Sequence, residues 1–184
     1  PFATFLKTVQ RKVYGVAGPV LHFSGIDAPT EFDTATGAGF IDMSAQAAGA
    51  EALTAIAQYQ QYIAVFAGRT IQLEFVDPDP TLNRLIQTLN NTGTIAPLSV
   101  TQFGDNDIFY LHESGLRSLR ARDSSNAAAT TDTGVPVDDL IVIALRALTA
   151  DERLKVFGVI EPRDNRFWLA LKDQVFVFSY FSGS

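Results

Sequence analysis

Three pairs of carboxylates stand where acid–base chemistry could be done. Asp77 and Asp79 flank Pro78, Asp105 and Asp107 flank Asn106, and Asp138 adjoins Asp139. A glycosidase needs two such groups roughly 5–9 Å apart, one to protonate the leaving oxygen and one to attack or to activate water. Each pair, however, falls where turns and helix starts favour aspartate, so its residue types point first to structure. None sits in the spaced Asp/Asn series ending in Glu that a calcium loop requires. The two histidines, His22 in VLHFSG and His112 in FYLHES, lie inside apolar runs. A nucleophile–His–acid triad would need one of them in a cleft beside Ser or Thr. Packing in or at the rim of a sheet is the simpler role.

Arg117, Arg120 and Arg122 gather in one run, with Asp123 next. On a regular strand Arg120 and Arg122 share a face. They could contact phosphates or a neighbouring subunit, or pair with carboxylates of an adjacent sheet such as Asp77 or Asp79. Trp168 with Phe176, Phe178, Tyr180 and Phe181 could form a sugar-binding platform, but the set fits a sheet core. GVAGPV and GAGF lack the strand, helix and lysine of a phosphate cradle. No catalytic, cofactor-binding or metal-binding residue is assigned. The residues kept as contact candidates are Arg117, Arg120, Arg122, Asp77 and Asp79.

These residues must be positioned by a chain of 184 residues, 47% hydrophobic, long enough for one domain with a real core. The 14 phenylalanines and 13 glycines favour aromatic strands joined by tight turns. The absence of cysteine excludes disulfides, thiolate nucleophiles and Cys-ligated zinc. A net charge of −6 lacks the basic footprint of tight nucleic-acid binding, yet suits a wall past which a polyanion slides. No apolar run approaches the length of a membrane helix.

The strand pattern recurs. TAIAQYQQYIAVFAGRTIQLEFVD from Thr54, LSVTQFGDNDIFYLHESGLRSLRARD from Leu98 and KVFGVIEPRDNRFWLALKDQVFVFSYF from Lys155 each read as three apolar runs separated by turns. The first two start about 44 residues apart, a propeller-blade period. The expected fold is therefore all-β with short helical insertions, a β-propeller or part of one, with roughly three full blades plus a partial blade. The expected order is a partial blade over 1–27, a loop with one outer strand over 28–50, a blade over 52–77, a helix over 80–89, a blade over 97–123, a polar loop and buried helix over 124–154, and a blade over 155–181. Asp79-Pro80 reads as a helix start, with Leu82, Leu85, Ile86 and Leu89 at helical spacing. Thr149 to Glu152 has the form of a capping box. Both ends fall within strand patterns, which predicts a segment of a longer protein.

The stretches VDPDPTLN and GLRSLRARDSSN, with GAGFIDMS and VIEPRDNRFWLAL, resemble structural proteins of short-tailed bacteriophages: the tail nozzle, tail hub or packaged-DNA stabilisation family. The resemblance covers about residues 37–181. It implies a propeller-containing virion protein, not an enzyme and without cofactors, in a sixfold homo-oligomeric ring below the portal. It further implies assembly in the host cytoplasm and transient passage of double-stranded DNA without tight binding. The implied partners are portal, adaptor, fibre or needle proteins. A propeller that binds or cleaves host glycans is the competing expectation.

Overall fold

A computed structural model describes residues 3–45, 51–121 and 128–179. The chain divides into two compact units, Pro1–Gly93 and Thr94–Ser184. The expectations for Arg122, Asp123, Tyr180 and Phe181 lie outside the described residues.

The first unit holds two four-stranded antiparallel sheets whose strands run in sequence order. One contains β1 (Phe5–Val9), β2 (Lys12–Ala17), β3 (Val20–Phe23) and β4 (Gly39–Asp42); the other contains β5 (Leu53–Tyr59), β6 (Tyr62–Ala67), β7 (Thr70–Phe75) and β8 (Arg84–Asn90). Burial alternates strictly along β5, the period-2 signature of a strand with unequal faces. Gln10 and Arg11 both take positive φ between β1 and β2, the backbone of a two-residue hairpin turn matched to strand twist. Tyr14, Val16, Leu21 and Phe23 of the first sheet pack with Leu53, Ile63, Val65 and Ala67 of the second.

The expected helix over 80–89 is not there. Asp79 caps a single 3-10 turn, Pro80–Leu82, and Arg84–Asn90 then pairs with β7 as a strand. About two turns of isolated helix are marginal in water, whereas the strand satisfies the open backbone edge of β7. The 28–50 segment supplies β4, so the first sheet has four strands and is not the partial one.

The second unit begins with β9 (Thr101–Phe103), β10 (Asp107–His112), β11 (Gly115–Ala121) and β12 (Ala128–Asp132), a four-stranded antiparallel sheet. Part of the expected polar loop is thus the edge strand β12, which pairs with β11. Helix α1 (Asp138–Ala147) and the short α2 (Ala150–Arg153) follow. The Thr149–Glu152 capping box forms as expected. Helix α1 is buried on one side only: Ile141 and Leu145 face the core, while Leu140 and Ile143 are exposed. The last sheet has three described strands, β13 (Phe157–Glu161), β14 (Arg166–Leu171) and β15 (Gln174–Ser179). Phe167, Leu169, Leu171, Phe176 and Phe178 pack on Phe109, Leu111, Leu116 and the buried side of α1. Trp168 does not join that core; it sits on the opposite face between Val159 and Val177.

Candidate functional site

Arg117 is heavily engaged among the described charged residues of the second unit. Its Nη1 donates to Asp132 Oδ1 at 2.7 Å, Asp138 Oδ2 at 2.8 Å and the Leu116 carbonyl at 3.0 Å. Its Nη2 donates to the Ser114 hydroxyl at 2.8 Å and the Ser114 carbonyl at 3.0 Å. The Leu116 amide donates to Asp138 Oδ1 at 3.0 Å. One guanidinium therefore fastens β11 to β12 and to the first turn of α1. Gly115 is required beside it: its φ is +127°, and a Cβ there would collide with the Asp138 carboxylate. Burial, and next the Asp138 carboxyl, push the Asp132 carboxyl above its usual range against the pull of Arg117.

Arg117 and Arg120 are contact candidates from the sequence. Both terminal nitrogens of Arg117 are engaged within its own unit, where its carboxylate partners are Asp132 and Asp138. Arg120 donates from Nε to Thr131 Oγ1 at 3.3 Å and lies opposite Asp107 in the β10–β11 register. Burial is the main influence raising the Asp107 carboxyl, opposed by a hydrogen bond from Ser118 and by the Arg120 charge. Replacing Arg117 with Met is expected to destabilise the second unit by roughly 2 kcal/mol, because the largely buried Asp138 carboxylate, together with the exposed Asp132, loses its donor. Urea denaturation of Arg117→Met measures it. Smaller losses in Arg117→Met than in Asp138→Ala would show that the carboxylate does not depend on the arginine.

Asp77 and Asp79 serve the β7–β8 connection. The Asp77 amide donates to Asn83 Oδ1, the Asp79 amide donates to Asp77 Oδ1, and the Thr81 amide and hydroxyl both donate to Asp79 Oδ1. The Thr81 hydroxyl holds the Asp79 carboxyl below its usual range. Both aspartates also favour the charged form of Lys12, whose pKa burial lowers. That lysine is buried, donates to the Gly37 carbonyl at 3.1 Å, and lies 4.9 Å from the centre of the Phe23 ring.

His112 and Ser114 do come together: Nδ1 and the hydroxyl are 2.7 Å apart across the β10–β11 hairpin. Nucleophilic catalysis would also need an acid to orient the ring. Among the described residues no carboxylate is hydrogen-bonded to His112, and the Ser114 oxygen already accepts from Arg117. The pair closes a turn. His22 stacks at a tilt on Phe40, with centroids 6.2 Å apart.

Sequence reasoning missed Glu74. It is 4% exposed, and burial pushes its carboxyl up to about 7. It lines an open cavity of about 530 Å³ together with Phe23, Ile41, Asn83, Arg84 and Leu85. Beside it, the Arg84 guanidinium lies 4.3 Å from the centre of the Phe75 ring. A Glu within the strand TIQLEF was the available signal, since β7 is otherwise almost wholly buried. The site offers a proton-holding carboxyl at the end of a mixed apolar and polar recess.

No protein-family model matches this chain, and no curated protein matches it. Among solved structures, one described as "AfRom2 CNH domain" is similar at a TM-score of 0.53 and 13% identity, over 96% of this chain and 54% of that one. The chain thus spans about half the length of that structure, and at this identity the likeness speaks to fold alone. A CNH domain is propeller-like, and with four antiparallel sheets the chain has an all-β fold of β-propeller type, whole or in part.

Proposed function

We propose that this chain is a virion structural protein, part of the tail nozzle or hub of a short-tailed bacteriophage. Its role is mechanical and not catalytic: it helps wall a DNA-exit conduit and docks other tail components. The carrying observation is what the family-like phrases do. VDPDPTLN turns the chain from β7 to β8 through Asp77, Asp79 and Asn83. GLRSLR holds β11 to β12 and α1 through Arg117. Side chains committed to internal fastening in both phrases support a part built for rigidity. The net charge of −6 suits a surface that double-stranded DNA passes without being held. Portal, adaptor, fibre or needle proteins are the partners this reading calls for, in a homo-oligomer assembled in the host cytoplasm.

Antibody raised against the chain is expected to decorate the tail end of purified particles in electron micrographs. Particles devoid of the chain, or labelled only on the capsid, would refute the proposal. The recess at Glu74 is the one feature favouring the glycan-binding or glycan-cleaving alternative. Saturable binding of host surface glycan that Glu74→Gln abolishes would favour that reading.

A further inference from the structure

A carboxyl taken out of water needs a partner, and the fold gives Glu74 none. Its side chain is 4% exposed, and among the described residues no hydrogen bond or ion pair reaches it. Gln72, two residues earlier on the same face of β7, is by contrast tied to the Met43 carbonyl, to which its Nε2 donates at 3.2 Å. Glu74 lies opposite Ile63 and Leu85 in the register of its sheet, and with Leu85 it lines the recess of about 530 Å³. That volume falls within the roughly 300–1,000 Å³ of small-molecule pockets. Phe23, Ile41 and Pro80 supply further apolar wall.

The charges around the recess leave a cation as the missing partner. Asp42 lines it from β4, is exposed, and is held below the usual carboxylate range by the Ser44 hydroxyl, so it is ionised at neutral pH. Arg84 lines it from β8 but lies opposite Phe75 in the register, and its guanidinium sits over that ring. Phe75 and Glu74 are consecutive on β7 and take opposite faces, so Arg84 turns away from the carboxyl. Lys12 on β2 is occupied by the Gly37 carbonyl, and its charge is favoured by Asp77 and Asp79. Neither cation acts on the Glu74 carboxyl, whose upward shift has burial as its cause.

We propose that this recess binds a small organic ammonium, with Glu74 as its counter-ion and Phe23, Ile41 and Leu85 around its hydrocarbon body. The ammonium donates to carboxyl oxygens that the fold leaves open, and such a charge-assisted hydrogen bond is about twice as strong as a neutral one. A sugar hydroxyl would donate too, but it would not neutralise a carboxylate held away from water. The bound form needs Glu74 ionised, so the ammonium displaces a proton held with a pKa of about 7. Affinity therefore rises with pH through that value. Such a ligand is independent of the tail reading and differs from the glycan alternative in its charge.

Cyclohexylammonium is the probe, titrated calorimetrically into the purified chain. Its amine stays protonated below about pH 9, so changes at lower pH report the protein. Saturable binding is expected, about thirtyfold tighter at about pH 8 than at about pH 5.5, because Asp42 is ionised throughout and Glu74 is not. Glu74→Gln, with unchanged circular dichroism, should lose at least about tenfold in affinity at the higher pH. Cyclohexanol, of similar shape without the charge, should not saturate. If Glu74→Gln does not fold, the wild-type pH series and the alcohol decide the matter. No saturation by cyclohexylammonium at about 10 mM, equal affinity at the two pH values, full affinity in Glu74→Gln, or equal binding of cyclohexanol would each overturn the proposal. Methyl glucoside binding that Glu74→Gln abolishes, without cyclohexylammonium binding, would overturn it in favour of the glycan reading. Particles lacking the chain would refute the tail reading alone.

Discussion

Phe167→Ala is expected to destabilise the second unit by roughly 4 kcal/mol, within the usual cost of deleting a buried phenylalanine. Phe167 is fully buried, 5.1 Å from Phe109 and 6.2 Å from Phe178 between ring centroids. Across the sheet Gly158 leaves room for the ring, since a Cβ there would press on its edge. Removing the ring leaves a void that two neighbouring rings and a glycine cannot fill without moving backbone. The single Trp168 lies next in sequence on the opposite face, so its fluorescence reports the transition in urea. Val177→Ala on the exposed face should cost under about 0.5 kcal/mol. If Phe167→Ala does not fold, Phe167→Leu should still lose about 1 kcal/mol or more. Equal effects at Phe167 and Val177 would contradict the assignment of inner and outer faces.

Glu74→Gln is expected to remove a pH dependence worth about 3 kcal/mol. The folded carboxyl titrates near 7 against an ordinary value of 4.5, because burial disfavours its charge. Below about pH 4.5 both folded and unfolded chains hold the proton, and the group contributes no pH dependence. Between 4.5 and 7 the unfolded chain releases it first, so stability falls as pH rises, by up to about 1.4 kcal/mol per pH unit. Above 7 the loss is complete and constant. Urea denaturation of both proteins at about pH 4.5 and about pH 8 isolates this part from other titrations. Parallel pH profiles for the two proteins would show that Glu74 ionises freely in the fold.

Much of this architecture is legible in the chain itself. The strands of the three repeats, the Thr149 capping box and the cap at Asp79 appear where residue types place them. The segment 84–90 is instructive because its spacing of Leu85, Ile86 and Leu89 suits a helix, yet it is a strand. Its partner, the edge of β7, is a tertiary fact that local periodicity does not contain. The same applies to Ala128–Asp132, whose composition reads as loop and whose pairing with β11 makes it strand. Trp168 fails for a related reason. Hydrophobicity places it in a core, but register assigns it to the face away from Phe167.

The candidate sites divide in the same way. Sequence alone determined that chemistry here would rest on carboxylates, two histidines and an arginine cluster, and that cysteine takes no part. It also determined an all-β repeat, because apolar runs of strand length separated by turn residues have few other ways to bury their surface. The tertiary structure decided which groups are already committed. Arg117 became a fastener because β12 and α1 bring Asp132 and Asp138 to it from 15 and 21 residues away. Glu74 became the distinctive titrating group because the surrounding strands exclude water from it. Hydrogen bonding and desolvation depend on neighbours distant in sequence, and only the folded chain brings those neighbours together.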